Sequence, residues 1–148
     1  MALVSLTRLK LRSPRFFFPF AWYAWQSIRQ ARSSPGFIRG QTGRDRNGGA
    51  WTITVWQDMA AMRNFRNTAS HMAAMPKLLH WCCEASIANW EQEHDELPNA
   101  EDAFDRMSTI GKISKVYHPT EAHSNGKTVG ERPPRINYRF NAAAQRAS

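Results

Sequence analysis

The chain has 148 residues, 42% of them apolar, with 20 Lys and Arg against 12 Asp and Glu, for a formal charge of +8. One domain of this length buries about two-thirds of its unfolded surface, so folding requires neither a disulfide nor a structural metal. The adjacent pair Cys82-Cys83 excludes an ordinary loop-closing bridge and a spaced zinc site, and points to reduced thiols in a cytoplasmic protein.

Leu3 to Leu11 reads as a first strand, with Leu3, Ser5, Thr7, Leu9 and Leu11 on one side and Val4, Leu6, Arg8 and Lys10 on the other. Ser13 caps and Pro14 opens a helix to about Arg32, with a stripe of Phe17, Ala21, Ala24, Trp25 and Ile28. Pro19 falls one turn inside, which predicts a separate or kinked first turn. The arginines around Phe16–Trp25 break any signal-peptide pattern, and that run is too short to span a bilayer. An aromatic run flanked by arginines is also what lies on a membrane surface; the reading taken here is a core helix covering a small sheet.

Phe37 to Arg44 is a second strand, weakened by Gly40 and Gly43. Asp45-Arg46-Asn47-Gly48-Gly49 is the strongest turn signal and makes a hairpin with Ala50–Trp56, whose Trp51, Ile53 and Val55 oppose Thr52, Thr54 and Trp56. Asp58 then caps a helix carrying Met59, Met62 and Phe65. This helix continues, bent near Thr68–Ser70 and at Pro76, to about Cys83. Ala85 to Trp90 is a fourth strand.

The order βαββαβ with right-handed crossovers predicts a ferredoxin-like α+β fold, a four-stranded antiparallel sheet with both helices on one face. The other face is still apolar, and a second copy is its natural cover, so a homodimer is expected. Residues 1–93 form this domain. Residues 94–148 hold a short helix from Pro98-Asn99 to about Met107, ended by Gly111, a short edge strand within Ile113–Tyr117, and an extended arm from His118 that packs on the domain or on a dimer partner.

Charge is uneven along the chain. Residues 1–46 hold nine Lys and Arg against one acid, residues 47–110 four against nine, and residues 111–148 seven against two. The N-terminal cations are scattered among aromatics that read as buried, so nucleic acid is not the expected partner. The basic ends are expected to meet the acidic middle, within one chain or across a dimer.

The run Trp51-Thr52-Ile53-Thr54-Val55-Trp56-Gln57-Asp58, followed by Ala61-Met62, Phe65-Arg66, His71, Ala74-Met75 and Leu79-His80-Trp81, resembles the dimeric α+β barrel superfamily. Within it the likeness is to bacterial proteins related to spheroidene monooxygenase and to antibiotic biosynthesis monooxygenases. It covers about residues 3–90. The resemblance implies a ferredoxin-like fold paired into a barrel, a pocket between sheet and helices, and a monooxygenase-like chemistry that is cofactor-free or haem-dependent.

His71, in the bent part of the second helix, is the candidate catalytic residue, as a proton carrier or, if haem is bound, its axial ligand. The structural alternative is a histidine closing a helix end by a backbone hydrogen bond. Trp51, Trp56, Phe65, Met75 and Trp81 are candidates to line an apolar pocket for an aromatic, quinoid or polyene molecule, although core packing is the commoner use of such residues. Trp51 and Trp56 point to opposite strand faces, so at most one serves a given pocket. Arg39 is a candidate for an anion or a haem propionate if its strand face looks inward, and Asn67 for a substrate carbonyl. No phosphate loop, paired catalytic carboxylates, nucleophile with adjacent base or metal cluster is visible. A non-catalytic homodimeric binding or structural module is the second reading.

Overall fold

The computed structural model describes residues 1–143, except the side chains of Ala69 and Ser70. β1 (Ala2–Leu11) is followed by one 3₁₀ turn over Pro14–Phe16, capped by Ser13, and then by α1 (Phe17–Ser33). The separate first turn predicted from Pro19 is present. β2 (Phe37–Arg44) and β3 (Gly49–Trp56) form the expected hairpin. Asp45 builds its turn: Oδ1 accepts from the backbone N–H groups of Asn47 and Gly49, at 3.0 and 2.7 Å, and Gly48 supplies the positive φ of 86°.

α2 (Met59–Arg66) starts at Asp58, whose carboxylate accepts from the N–H of Ala61 at 2.8 Å. α3 (Ala69–Trp81) is a separate helix that runs straight into β4 (Cys82–Gln92). The expected bend at Pro76 does not end it. The carbonyl that loses its donor belongs to Met72, an exposed residue on the helix surface. Cys82 and Cys83, expected at a helix end, are buried free thiols at the start of β4, and burial pushes the Cys82 thiol up to about 12.

The sheet has six strands, not four. β1, β3, β2 and β4 pair antiparallel in the ferredoxin-like order β4-β1-β3-β2. β5 (Lys112–Ile113) adds to the β4 edge, and β6 (Arg135–Asn141) adds to the β2 edge. The stretch expected as an extended arm thus packs on the domain itself, by joining the β2 edge of its sheet. Backbone groups of an open edge need partners, and this stretch supplies them. Gly40 and Gly43, read as weaknesses, are where β6 closes on β2: a Cβ on Gly40 would sit 2.5 Å from the Phe140 ring, and one on Gly43 2.6 Å from the Arg135 carbonyl oxygen.

The two faces of this sheet are covered differently. On the first lie Leu3, Trp56 and Phe37, packed with Ala31 of α1, Met62 of α2 and Phe140, while Leu78 of α3 joins Leu9, Leu11 and Cys82; this is the helix face. On the opposite face Val4, Leu6, Trp51, Ile53, Val55, Ala88 and Trp90 pack under Ala103 and Met107 of α4 (Ala100–Ile110), with Leu97, Phe104, Val129 and Ile136 around them. α5 (Glu121–Ser124) closes the same end of the molecule.

The cover expected from a second copy is thus supplied by the chain's own residues 97–136. A homodimer would have to use another surface, because Val4, Leu6, Ile53 and Val55 are already fully enclosed.

α1 also departs from its predicted stripe. Ile28 of that stripe packs inward, but Phe17 and Trp25, also expected to face the core, are 39% and 48% exposed, while Ala31 and, from the preceding 3₁₀ turn, Phe16 are buried. A helix that is aromatic nearly all round has no unique apolar stripe, so which side it buries depends on its neighbours.

Candidate functional site

The helix face brings together three of the predicted residues. The His71 ring lies 5.3 Å from that of Phe65, and Phe65 stacks at 5.1 Å on Trp56. Helical spacing sets up the contact: Phe65 ends α2, and His71 sits in the first turn of α3, which folds back beside it. The aromatic line continues past Trp56 to Phe37 at 5.2 Å and on to Phe140, 5.8 Å further. Phe37 and Phe140 were not among the expected lining residues. The position of Phe140 is not legible from an arm with no assigned docking edge, although Tyr138 and Phe140 alternate as a strand's residues do.

The Trp56 indole N–H donates to Thr54 Oγ1 at 2.9 Å, so this buried tryptophan leaves no polar atom unsatisfied. His71 differs. Its Nδ1 is buried with no hydrogen-bond partner. Burial, and after it the nearby Arg66 guanidinium, hold the imidazole pKa below its ordinary value. The ring is accordingly neutral near pH 7, and in its Nε2–H tautomer Nδ1 offers a free lone pair towards the interior.

Between the Trp56 end and the Leu9 end of this face runs a floor of small polar side chains. Ser5 and Asn89 lie in one row with Thr54, and Thr7 and Thr42 in the next with Thr52, all half-buried. Six residues of β1 separate Leu3 from Leu9, about 20 Å of strand. At the Leu9 end a cleft of about 320 Å³ opens under α1, lined by Leu9, Leu11, Phe17, Phe20 and Ala50, with Lys10, Arg12 and Arg44 among its other walls. A second cleft of about 420 Å³ lies at the opposite end, beside Met1, Gln57 and Glu93–Glu96. Neither cleft includes His71.

The remaining candidates are dispersed. Trp51 is on the far face, where its indole N–H donates to Asp45 Oδ2 at 2.8 Å. Arg39 is there too, because a bulge between Phe37 and Arg39 shifts the register and moves it away from Phe37's side. Its Nη2 lies 3.6 Å from Asp95. Trp81 packs on Phe16 and Tyr23, ten residues and about 15 Å along α3 from His71. Met75 is 43% exposed and Asn67 is the exposed C-cap of α2. Among the described residues no group of three or more His, Cys, Asp or Glu is placed to hold a metal ion.

The far face holds a cluster that sequence reasoning missed. Arg8, 1% exposed, donates from Nε to Asp45 Oδ2 at 2.6 Å and from Nη1 to Glu84 Oε1 at 2.7 Å. Thr120 donates to Glu84 Oε2 at 2.8 Å, and Lys10 stands 3.9 Å from the same oxygen. Burial pushes the Asp45 and Glu84 carboxyls up, but the hydrogen bonds from Arg8, Trp51 and Thr120 outweigh it and leave both below their usual values. The signal was an Arg at an inward position of an otherwise apolar strand face.

A ferredoxin-like antiparallel sheet with a helical layer on one face and an open-ended, half-polar floor beneath it defines the class of this protein. The chain belongs to the family described as a domain of unknown function, DUF3291, which matches residues 20–116. No curated protein matches it in sequence. Among solved structures it is similar in fold to SnoaB, a cofactor-independent oxygenase from Streptomyces nogalater, with 17% identity, a TM-score of 0.54 and coverage of 66% of this chain and 98% of that one. It is also similar to an antibiotic biosynthesis monooxygenase, described as putative, from Nitrosomonas europaea (10% identity, TM-score 0.55, 62% and 99% covered). A third similar structure is a conserved protein from Methanosarcina mazei Go1 (12% identity, TM-score 0.57, 63% and 94% covered).

Proposed function

We propose that this protein binds an elongated aromatic, quinoid or polyene molecule between the helix layer and the sheet, and oxidises it with dioxygen in a monooxygenase-like reaction. The observation that carries this reading is the His71 imidazole, neutral, with Nδ1 buried and unpartnered, against the Phe65–Trp56 stack. A buried acceptor without a donor is costly in a finished core and useful where a substrate supplies the proton. The likeness in fold to a cofactor-independent oxygenase supports the same direction by analogy.

With an anthrone as substrate, His71 Nδ1 accepts a proton from the reacting carbon, leaving a delocalised carbanion. This reacts with dioxygen, and the CH₂ becomes C=O as one oxygen atom stays on carbon and the other leaves as water. Haem does not suit the residues present. Arg39, the partner expected for a propionate, is on the other side of the sheet beside Asp95, and one side of the His71 ring is taken by Phe65.

The test is oxygen consumption with anthrone. His71→Ala should lower turnover by about 100-fold or more, while Trp51→Phe, on the far face, should not change it. Turnover that persists in His71→Ala removes the catalytic role. A second reading, binding without turnover, is favoured by the lack of any carboxylate hydrogen-bonded to His71. It predicts that anthrone quenches tryptophan fluorescence but no oxygen is consumed.

A further inference from the structure

The helix layer carries an outer surface that none of the described residues covers. Phe18, Trp22 and Trp25 are 80%, 57% and 48% exposed, and their spacing of four and three residues puts them on one side of α1. The Trp22 and Trp25 rings touch, with centroids 5.4 Å apart. α3 packs beside α1, joined through Tyr23 against Trp81 and through Lys77 on Tyr23, and adds exposed Met72 and Met75.

Apart from Asp58 at the N-cap of α2, charge on this layer has one sign. Residues 1–44 and 59–83 contain no Asp or Glu, so α1, α2 and α3 hold Arg29, Arg32, Arg63, Arg66 and Lys77 without a single acid. Several cations sit on the aromatic rings: Arg29 lies 5.1 Å from the Trp25 ring centroid and Arg15 4.6 Å from that of Phe16. Most other acids lie elsewhere, in the run Glu91–Glu96 and on α4 as Glu101, Asp102 and Asp105. The molecule therefore has a basic aromatic side.

We infer that this side docks on an anionic membrane surface, with α1 lying in the plane of the headgroups, Phe18, Trp22 and Trp25 entering the acyl boundary, and the arginines on the lipid phosphates. Large aromatics flanked by cations suit that boundary, where one end of the ring is dry and the other wet. No helix among the described residues is long and apolar enough to cross a membrane, so the contact is with one leaflet. Two copies meeting through this surface would oppose like charges. A nucleic acid would leave Phe18, Met72 and Met75 in water.

The experiment is flotation of the full chain with phosphatidylcholine vesicles, with and without about a third phosphatidylglycerol. The protein should float with the anionic vesicles and not with the neutral ones, and should be released on raising salt from about 0.1 to about 0.5 M. The double variant F18S/W22S, altered only where side chains are exposed, should keep the melting temperature of the parent and lose vesicle binding by about tenfold or more. Failure to float with anionic vesicles, or flotation unchanged in F18S/W22S, overturns the inference. So does a homodimer in sedimentation that F18S/W22S dissociates, or duplex DNA binding abolished by the same variant, if vesicles are not bound.

Discussion

At the residue scale, His71 is half-buried and Arg8 fully enclosed, and their environments act in opposite ways. His71 has lost water and gained no partner, so its charged form is disfavoured. NMR titration should place its pKa below 6.5, and activity dependent on the neutral ring should rise with pH through that folded value and then level off. Stability follows the same sign. The unfolded ring binds its proton first, so the His71 contribution is complete above about pH 6.5 and is lost as pH falls towards the folded pKa. His71→Phe should remove that component of the acid sensitivity, as read from urea midpoints.

Arg8 instead compensates two carboxylates in a site where its own side chain is 1% exposed. Removing it leaves Asp45 and Glu84 without their main donor, at a cost of roughly 3–5 kcal/mol for Arg8→Met by chemical denaturation. The pH slope should also flatten. In the parent both carboxyls have lowered pKa values, and their contribution is present above about pH 4 and lost as pH falls through those values. In Arg8→Met burial is opposed only by the remaining donors, Trp51 and Gly49 on Asp45 and Thr120 on Glu84, so both pKa values rise from their parent values and the variant should lose less stability on acidification than the parent does. Trp51→Phe removes one donor to the same carboxylate and should cost about 1–3 kcal/mol.

At the element scale, β6 is the part that most changes the picture of the fold. It seals the β2 edge, and Phe140 fits only because Gly40 has no side chain. Gly40→Ala should therefore destabilise the protein, and so should Phe140→Ala, the latter by about 3–5 kcal/mol. The pair should be non-additive: with the ring gone the alanine has room, and a double-mutant cycle should show coupling of about 0.5–3 kcal/mol. Additive losses would mean that the ring and the glycine do not press on one another. Gly36 works similarly at the α1–β2 turn, with a φ of 84° and space for a Cβ denied by Ala61 of α2 at 2.5 Å. That close approach fixes how α2 begins over the sheet.

At the scale of the whole molecule, one sheet carries two unlike layers. The far face is mostly apolar, with the Arg8 cluster, Gln41 and Ser86 as buried polar residues, and it is closed by α4 and the chain around it. Truncation after residue 93 would uncover Trp51, Val55 and Trp90 together. Such a fragment should precipitate or self-associate in sedimentation, whereas the full chain should not associate through that face. The helix face is looser, with hydroxyls on its floor and a cleft at one end, and this is where a ligand is proposed to enter. Separation of a sealed layer from a looser one lets the fold keep its stability away from the proposed chemistry.

Much of the frame was legible from local rules. The alternation in residues 50–56 placed Trp51 and Trp56 on opposite faces, Asp58 capped its helix, and the Asp45–Gly49 run made the hairpin, because backbone sterics and short-range hydrogen bonds act within a few residues. The ring of Phe65 beside His71 was half-legible: the spacing allowed it, but contact required α3 to turn back on α2. Arg39 was misplaced by a single bulge, which reverses every later side chain and leaves no local mark in Phe37-Ile38-Arg39. The cover of the far face was decided at long range, by residues 97–136 packing on that apolar surface. Burial energy depends on area removed from water and is indifferent to which chain removes it. Residue order alone therefore established that this face must be covered, and tertiary packing established that the chain covers it itself.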